Sequence, residues 1–137
     1  MSLTEHEIAT LQATFAEVEK DVDGFTGKFY GYMFETHPEV KHLFKGDMKA
    51  QGRKLAGMLK SAVQSAANLG AVVPAVEASG RRHVAYGVKK AHYDIVGSCL
   101  IHTLAVTFGD AFTPEVRELW TKVYGILASV MMSQHPE

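Results

Sequence analysis

The sequence holds a single cysteine, Cys99, so an intramolecular disulfide is impossible and a scaffold stapled by disulfides is excluded. A lone thiol suits a reducing compartment. Long apolar runs are missing too: no uncharged stretch reaches the ~18 residues of a membrane span. The opening residues, MSLTEHEIATLQ, lack the basic start and apolar core of a secretory signal. The expectation is a cytoplasmic protein that does not engage a membrane. Charge of one sign is not in surplus, since Lys and Arg number 14 against 15 Asp and Glu, a formal charge of −1. A nucleic-acid partner is therefore not expected, because phosphate recognition needs clustered surplus cations.

Familiar catalytic patterns are equally scarce. There is no H-E-x-x-H, no G-x-G-x-x-G after a strand, no phosphate loop and no G-x-S-x-G elbow. His37 and His42 flank a proline turn with no third ligand nearby, so a structural zinc site is not expected. Hairpin signals, repeats and low-complexity tracts are absent.

What the sequence does have is helical periodicity in a chain of single-domain length, with 137 residues of which 47% are hydrophobic and 21% charged. Thr4 followed by Glu7 is a capping box, and Ile8, Leu11, Phe15 and Val18 recur at helical spacing. This helix is expected to end near Asp21–Asp23. A second, from about Gly24 to Thr36, presents Phe25, Phe29, Tyr30, Met33 and Phe34, and His37-Pro38 breaks it. Gly24, Gly27 and Gly31, at helical spacing, suggest a close helix crossing. After a short turn to Phe44 and the loop Lys45-Gly46-Asp47, a long helix is expected from Met48 to Leu69, with Gly70 as its stop. Val73 to Val84 reads as a shorter helix carrying Val76 and His83, and Ala85-Tyr86-Gly87 as a break. Lys90 to Phe108 forms the next, with Tyr93, Val96, Leu100, Leu104 and Val106 as its stripe. Thr113-Pro114-Glu115 opens the last, which carries Leu119, Trp120, Val123 and Leu127. Six or seven helices make an all-α fold.

Seven histidines require explanation. His83 differs from the others in its setting, near the end of a short helix with Val76 seven residues earlier and Arg81 and Arg82 beside it. Apolar surroundings with flanking cations suit a haem, whose ring is apolar and whose propionates are anionic, and neutral imidazole is a good iron ligand. A partly buried packing histidine fits the same facts.

Four blocks carry a resemblance. FYGYMFETHPEVKHLF (Phe29 to Phe44), GRRHVAYGV (Gly80 to Val88), AHYDIVG (Ala91 to Gly97) and WTKVYGILA (Trp120 to Ala128) resemble, in order, segments of the globins. The likeness is to the single-domain bacterial haemoglobins and the haem domain of flavohaemoglobins, and it covers essentially the whole chain as one domain, residues 1–137. Tyr30 precedes Pro38 by eight residues, Phe44 follows Pro38 by six, and His83 follows Gln51 by 32. The resemblance implies a globin fold around one haem b (iron protoporphyrin IX), with His83 as proximal ligand, Tyr30 and Gln51 as distal hydrogen-bond donors and Phe44 packed on the macrocycle. Leu55, four residues after Gln51, shares its helix face and would limit the space over the iron. Tyr93 corresponds to the tyrosine that approaches the ligating histidine. Where family members commonly add a glutamate from the last helix, this chain has His135, with Gln134 beside it; a frayed chain end would leave Tyr93 alone. That departure weakens any inference of peroxidase-like push from an anionic partner. Lys54 and Arg82 are candidate propionate contacts, each equally readable as solvated surface charge. Val88, Val96 and Leu127 are expected to line the haem, or simply to belong to the core. Cys99 is expected to be inert packing.

The implied function is reversible binding of dioxygen, for transport or storage, with carbon monoxide and nitric oxide as further diatomic ligands. Nitric oxide dioxygenation is the enzymatic alternative. It demands electrons from a separate flavin reductase, because a globin fold consumes the whole sequence. A gas-sensing module and a haem-free helical bundle remain as other readings, and monomer and homodimer both stay open.

Overall fold

The computed structural model describes residues 3–136, and all regular structure among them is helical. Six α-helices follow in order: α1 (Glu5–Glu19), α2 (Val22–Thr36), α3 (Met48–Gln64), α4 (Val73–Ala85), α5 (Lys90–Phe108) and α6 (Pro114–Met132). Three short 3-10 segments, Pro38–Leu43, Leu69–Val72 and Gly109–Ala111, join them. No described helix is long and apolar enough to cross a membrane.

Local chemistry sets most of the helix starts. Thr4 and Glu7 exchange side-chain and backbone hydrogen bonds at the head of α1, as the capping box requires. The Thr113 hydroxyl accepts from the Val116 N–H, with Pro114 at the first helical position. α2 starts two residues earlier than expected, because the Asp21 carboxylate accepts from the Gly24 N–H at 3.0 Å and so caps a helix beginning at Val22. α1 accordingly ends at Glu19.

The end of α3 also departs from expectation. The apolar spacing runs on through Ala66 to Leu69, but the helix stops at Gln64. Beyond it the backbone bonds tighten to three-residue spacing, Ala66 N–H to the Val63 carbonyl and Asn68 N–H to the Ser65 carbonyl. Leu69 is still fully buried, delivered to the core by a 3-10 turn, and Gly70 lies inside that turn instead of ending a helix. Val106, expected in the α5 stripe, is exposed.

Every helix contributes to one continuous core. Leu11, Phe15 and Val18 of α1 meet Phe29 and Met33 of α2, Leu100 and Leu104 of α5, and Trp120 and Val123 of α6. Burial of these side chains is the main favourable term, about 1.5–3 kcal/mol for each large one. The Trp120 indole N–H donates to the Thr14 hydroxyl at 2.9 Å, so the largest core side chain carries no orphaned donor. Cys99 is fully buried.

The close helix crossings are not where the glycine spacing put them. Gly27 and Gly31 face outward, and a Cβ at either position would have nothing within 4 Å, while one at Gly24 would meet only its own cap, Asp21. The close approaches occur at Gly52 against Thr26 (α3 on α2), Gly80 against the Met131 backbone (α4 on α6) and Gly97 against the Tyr124 ring (α5 on α6). Helical spacing shows that three residues share a face but not which face meets a neighbour.

Opposite outcomes are therefore expected for two alanine substitutions. At Gly80 a Cβ would fall 2.7 Å from the Met131 carbonyl oxygen, a backbone atom that cannot swing aside. Gly80→Ala should cost about 1–3 kcal/mol and lower the melting temperature. Gly27→Ala fills open space in a helix and should stabilise by about 0.5–1 kcal/mol. Thermal unfolding followed by circular dichroism reads both. Equal destabilisation by the two changes would show that α2 crosses a neighbour at Gly27 after all.

Candidate functional site

The site is built around α4. Val76, Ser79 and Gly80 are the buried residues of this helix, and His83 follows one turn after Ser79. Because Gly80 lets α4 lie directly on the α6 backbone, the end of the helix is held firmly and the imidazole of His83 is left half-buried beside it. The His83 Nδ1–H donates to the Ser79 carbonyl at 2.6 Å, with the Ser79 hydroxyl at 3.5 Å. A carbonyl only accepts, so Nδ1 holds the proton and Nε2 carries a lone pair. This second partner is what orients a metal-binding imidazole. Burial holds the His83 pKa below its ordinary value; the Ser79 bond opposes the shift and the neighbouring Arg82 cation adds to it. The lowered pKa favours the neutral ring.

Behind His83 stands Tyr93, with ring centroids 6.4 Å apart. Its hydroxyl and His135 Nε2 share a 2.8 Å hydrogen bond, so Tyr93 is not left alone at the chain end. Burial raises the Tyr93 pKa and keeps the phenol protonated. The Tyr124 hydroxyl donates to the Tyr93 carbonyl at 2.6 Å, tying this turn of α5 to α6.

The second group of expected site residues comes from α2, α3 and the corner between them. Tyr30 is 7% exposed, and burial pushes its pKa up to about 12, so it stays a neutral hydrogen-bond donor. Its ring meets the edge of Phe44 at 5.4 Å and stacks on Phe34 at 6.0 Å. Among the described residues no group hydrogen-bonds the Tyr30 hydroxyl or the Gln51 amide, although no fully buried side-chain polar atom lacks a partner. The hydroxyl thus borders accessible space. Asp47 caps α3 through the Lys49 and Ala50 N–H groups and so places Gln51 in the first turn. The approach of Gly52 to Thr26 brings that turn against α2, one turn before Tyr30.

The other expected site residues fall into three groups. Leu55, Phe44, Val88 and Val96 are half-buried, which suits the rim of a crevice. Leu127 is buried in the core. Lys54 and Arg82 are exposed. Two contributors escaped the sequence reading. Ser79 has a readable signal, its place four residues before His83. Phe34 stands four residues after Tyr30 on the same face, and packs on Phe44 as well at 5.4 Å.

Four of the remaining histidines have other occupations. His6 pairs with Glu115 and His37 with Glu39. His92 accepts from the Lys89 N–H at the start of α5, and His102 stacks on Tyr32. No three His, Cys, Asp or Glu among the described residues gather as a metal cage. A metal at His83 would need its other ligands from a macrocycle. The chemistry of the residues fits that group: an Nε2 lone pair on His83, half-buried apolar side chains at Phe44, Leu55, Val88 and Val96, and neutral donors at Tyr30 and Gln51.

Comparison with known proteins follows the same line. The Globin family model matches residues 27–131, which is α2 from its second turn to the penultimate residue of α6. The flavohemoprotein of Bacillus subtilis (strain 168) is 30% identical over 128 residues, 91% of this chain and 32% of that protein. That of Vibrio cholerae is 33% identical over 135 residues, 96% of this chain and 34% of that protein. That of Rhodopirellula baltica is 34% identical over 135 residues, with 96% and 33% covered. The chain spans about a third of the length of these relatives. With an all-helical core, a lone oriented histidine and a family match over most of its length, the chain belongs to the globin family.

Proposed function

We propose that this globin holds one haem b through Nε2 of His83 and binds dioxygen reversibly, with Tyr30 and Gln51 as hydrogen-bond donors to the bound gas. The observation that carries this reading is the Ser79–His83 hydrogen bond, which fixes the tautomer a metal ligand needs. Bound haem would supply an iron open to a diatomic gas on the side away from His83. The chain's own residues would do the rest. Phe44 would pack on the macrocycle, Leu55 would restrict the space near Gln51, and Val88, Val96 and Leu127 would line the apolar pocket. Arg82 and Lys54, exposed and without a carboxylate within 4.0 Å among the described residues, are free to meet the propionates.

His135 bears on which chemistry follows. An imidazole is neutral or cationic and never an anion, so it places no negative charge behind Tyr93. That favours gas binding over chemistry that relies on electron push from the proximal side. Nitric oxide dioxygenation is the second reading, favoured by the flavohemoprotein relatives. Its balance is one dioxygen, one nitric oxide and one electron giving one nitrate. The electron would come from a flavin reductase outside this globin domain.

Two measurements test the proposal. Absorption spectra of the ferric, ferrous and CO-bound forms should show stoichiometric haem, and His83→Ala should lose it or retain it only with added imidazole. An alanine variant with unchanged haem content and spectrum would exclude His83 as the ligand.

Stopped-flow dissociation of dioxygen tests the distal pair. Tyr30→Phe and Gln51→Leu should each speed dissociation about tenfold, equivalent to roughly 1.4 kcal/mol. The effects should be non-additive, because both donors serve one ligand. Carbon monoxide, less polar when bound, should respond less. If neither gas responds to either substitution, Tyr30 and Gln51 do not face the ligand.

A further inference from the structure

We infer that the exposed basic rim around the His83 crevice is a docking face for an acidic, flavin-carrying electron-transfer protein. The inference rests on the reading that His83 holds haem and extends it to the partner. The near-zero net charge conceals a division. Between Val40 and Tyr93 stand ten of the 14 Lys and Arg residues but only two of the 15 carboxylates, Asp47 and Glu77. Ten minus two gives that stretch +8. The rest of the chain holds four cations and 13 carboxylates, which is −9. The basic stretch is the one that supplies Phe44, Gln51, Leu55 and His83.

Few of these cations are neutralised locally. Arg53 pairs with Asp23 and Lys60 with Glu19, both toward α1 and α2. Lys41, Lys45, Lys49, Lys89 and Lys90 are exposed and have no carboxylate within 4.0 Å among the described residues. They come together because the α4–α5 turn lies on the corner before α3: a side-chain carbon at Gly87 would sit 3.9 Å from Leu43. His92, beyond that turn, has its pKa held low by burial and then by nearby His42 and Lys89, with Glu39 opposing the shift as the one carboxylate that acts on it. Two haem propionates would offset only two of the eight surplus charges.

Tyr86 adds the second mark of an interface. Its ring is 55% exposed, although it lies 5.9 Å from the His83 ring, and it stands between Arg82 and Lys89. An exposed aromatic inside a charged rim is the usual anatomy of a protein–protein contact. The acidic remainder of the chain selects the kind of partner. A bilayer or a long polyanion would extend past the basic rim toward the acidic remainder of the chain, which sums to −9 in sequence, whereas a compact acidic protein can meet the rim alone. The resulting dipole would also orient the encounter. Once docked, the partner's anionic flavin hydroquinone would give up one electron toward bound haem and become the neutral semiquinone, with no proton released and no bond in this chain made or broken.

Calorimetry with the haem-loaded chain and a purified acidic flavodoxin as probe tests this. Binding should weaken steeply between low and high salt. Lys45→Glu, Lys49→Glu, Lys89→Glu and Lys90→Glu combined should weaken it by about 30-fold or more and slow haem reduction in parallel, with haem content unchanged. Lys28→Glu with Arg117→Glu, outside the rim, should change it by less than about threefold. Haem content is read separately by absorbance. A chain without haem overturns the site reading beneath the proposal. A haem-loaded chain that binds no flavodoxin, or whose rim variant binds as well as the parent, overturns the docking face alone. Tighter binding to anionic phospholipid vesicles or duplex DNA than to the flavodoxin overturns the choice of partner.

Discussion

The approach of α4 to α6 at Gly80 is the constraint on which the site depends. A side chain at that position would strike the Met131 backbone, and the two helices would have to part. With only hydrogen there, α4 settles onto α6, and Val76 and Ser79 go into the interior beside it. His83 then stands one turn from a buried serine whose carbonyl takes its Nδ1 proton in a hydrogen bond. The orientation and tautomer of the imidazole are thus set by packing three residues away as much as by the histidine itself. The same junction brings the end of α6 near, and His135 reaches Tyr93 from there.

The two walls of the site use different physics. The His83 side rests on separate hydrogen bonds, His83 to Ser79 and Tyr93 with His135, with Tyr124 holding the Tyr93 backbone. Their effect is orientation. The Tyr30 side is an aromatic cluster of Phe29, Tyr30, Phe34 and Phe44, in which one hydroxyl has no partner among the described residues. Desolvation keeps that hydroxyl protonated, so it can donate but not ionise. A polar group in such a setting is costly unless something accepts from it.

Charge is organised on a larger scale than either wall. Balanced totals gave no reason to expect a nucleic-acid partner, and they concealed a basic stretch, Val40 to Tyr93, within an otherwise acidic chain. The few ion pairs that tie Arg53 and Lys60 to the first two helices lie where the halves meet. Elsewhere Lys41, Lys45, Lys49, Lys89 and Lys90 are left in solvent.

The linear chain determined whatever depends on near neighbours. The capping box at Thr4, the start at Thr113-Pro114 and the break at His37-Pro38 are local, and they appear as read. So does the identity of the core-facing residues on α1 and α6, because helical spacing alone places them on one stripe. The intervals linking Tyr30, Pro38, Phe44, Gln51 and His83 pointed to the site through resemblance to a family. Tertiary structure decided the rest. The same spacing that put Gly24, Gly27 and Gly31 on one face could not say that this face is turned to solvent, nor that Gly52, Gly80 and Gly97 are the ones pressed against neighbours. Apolar spacing continued past Gln64 while the backbone had already tightened, since a 3-10 turn and an α-helix can both bury Leu69. The bond between Tyr93 and His135 joins residues 42 positions apart. No local pattern encodes such a contact, because it forms only when α5 and α6 are packed together.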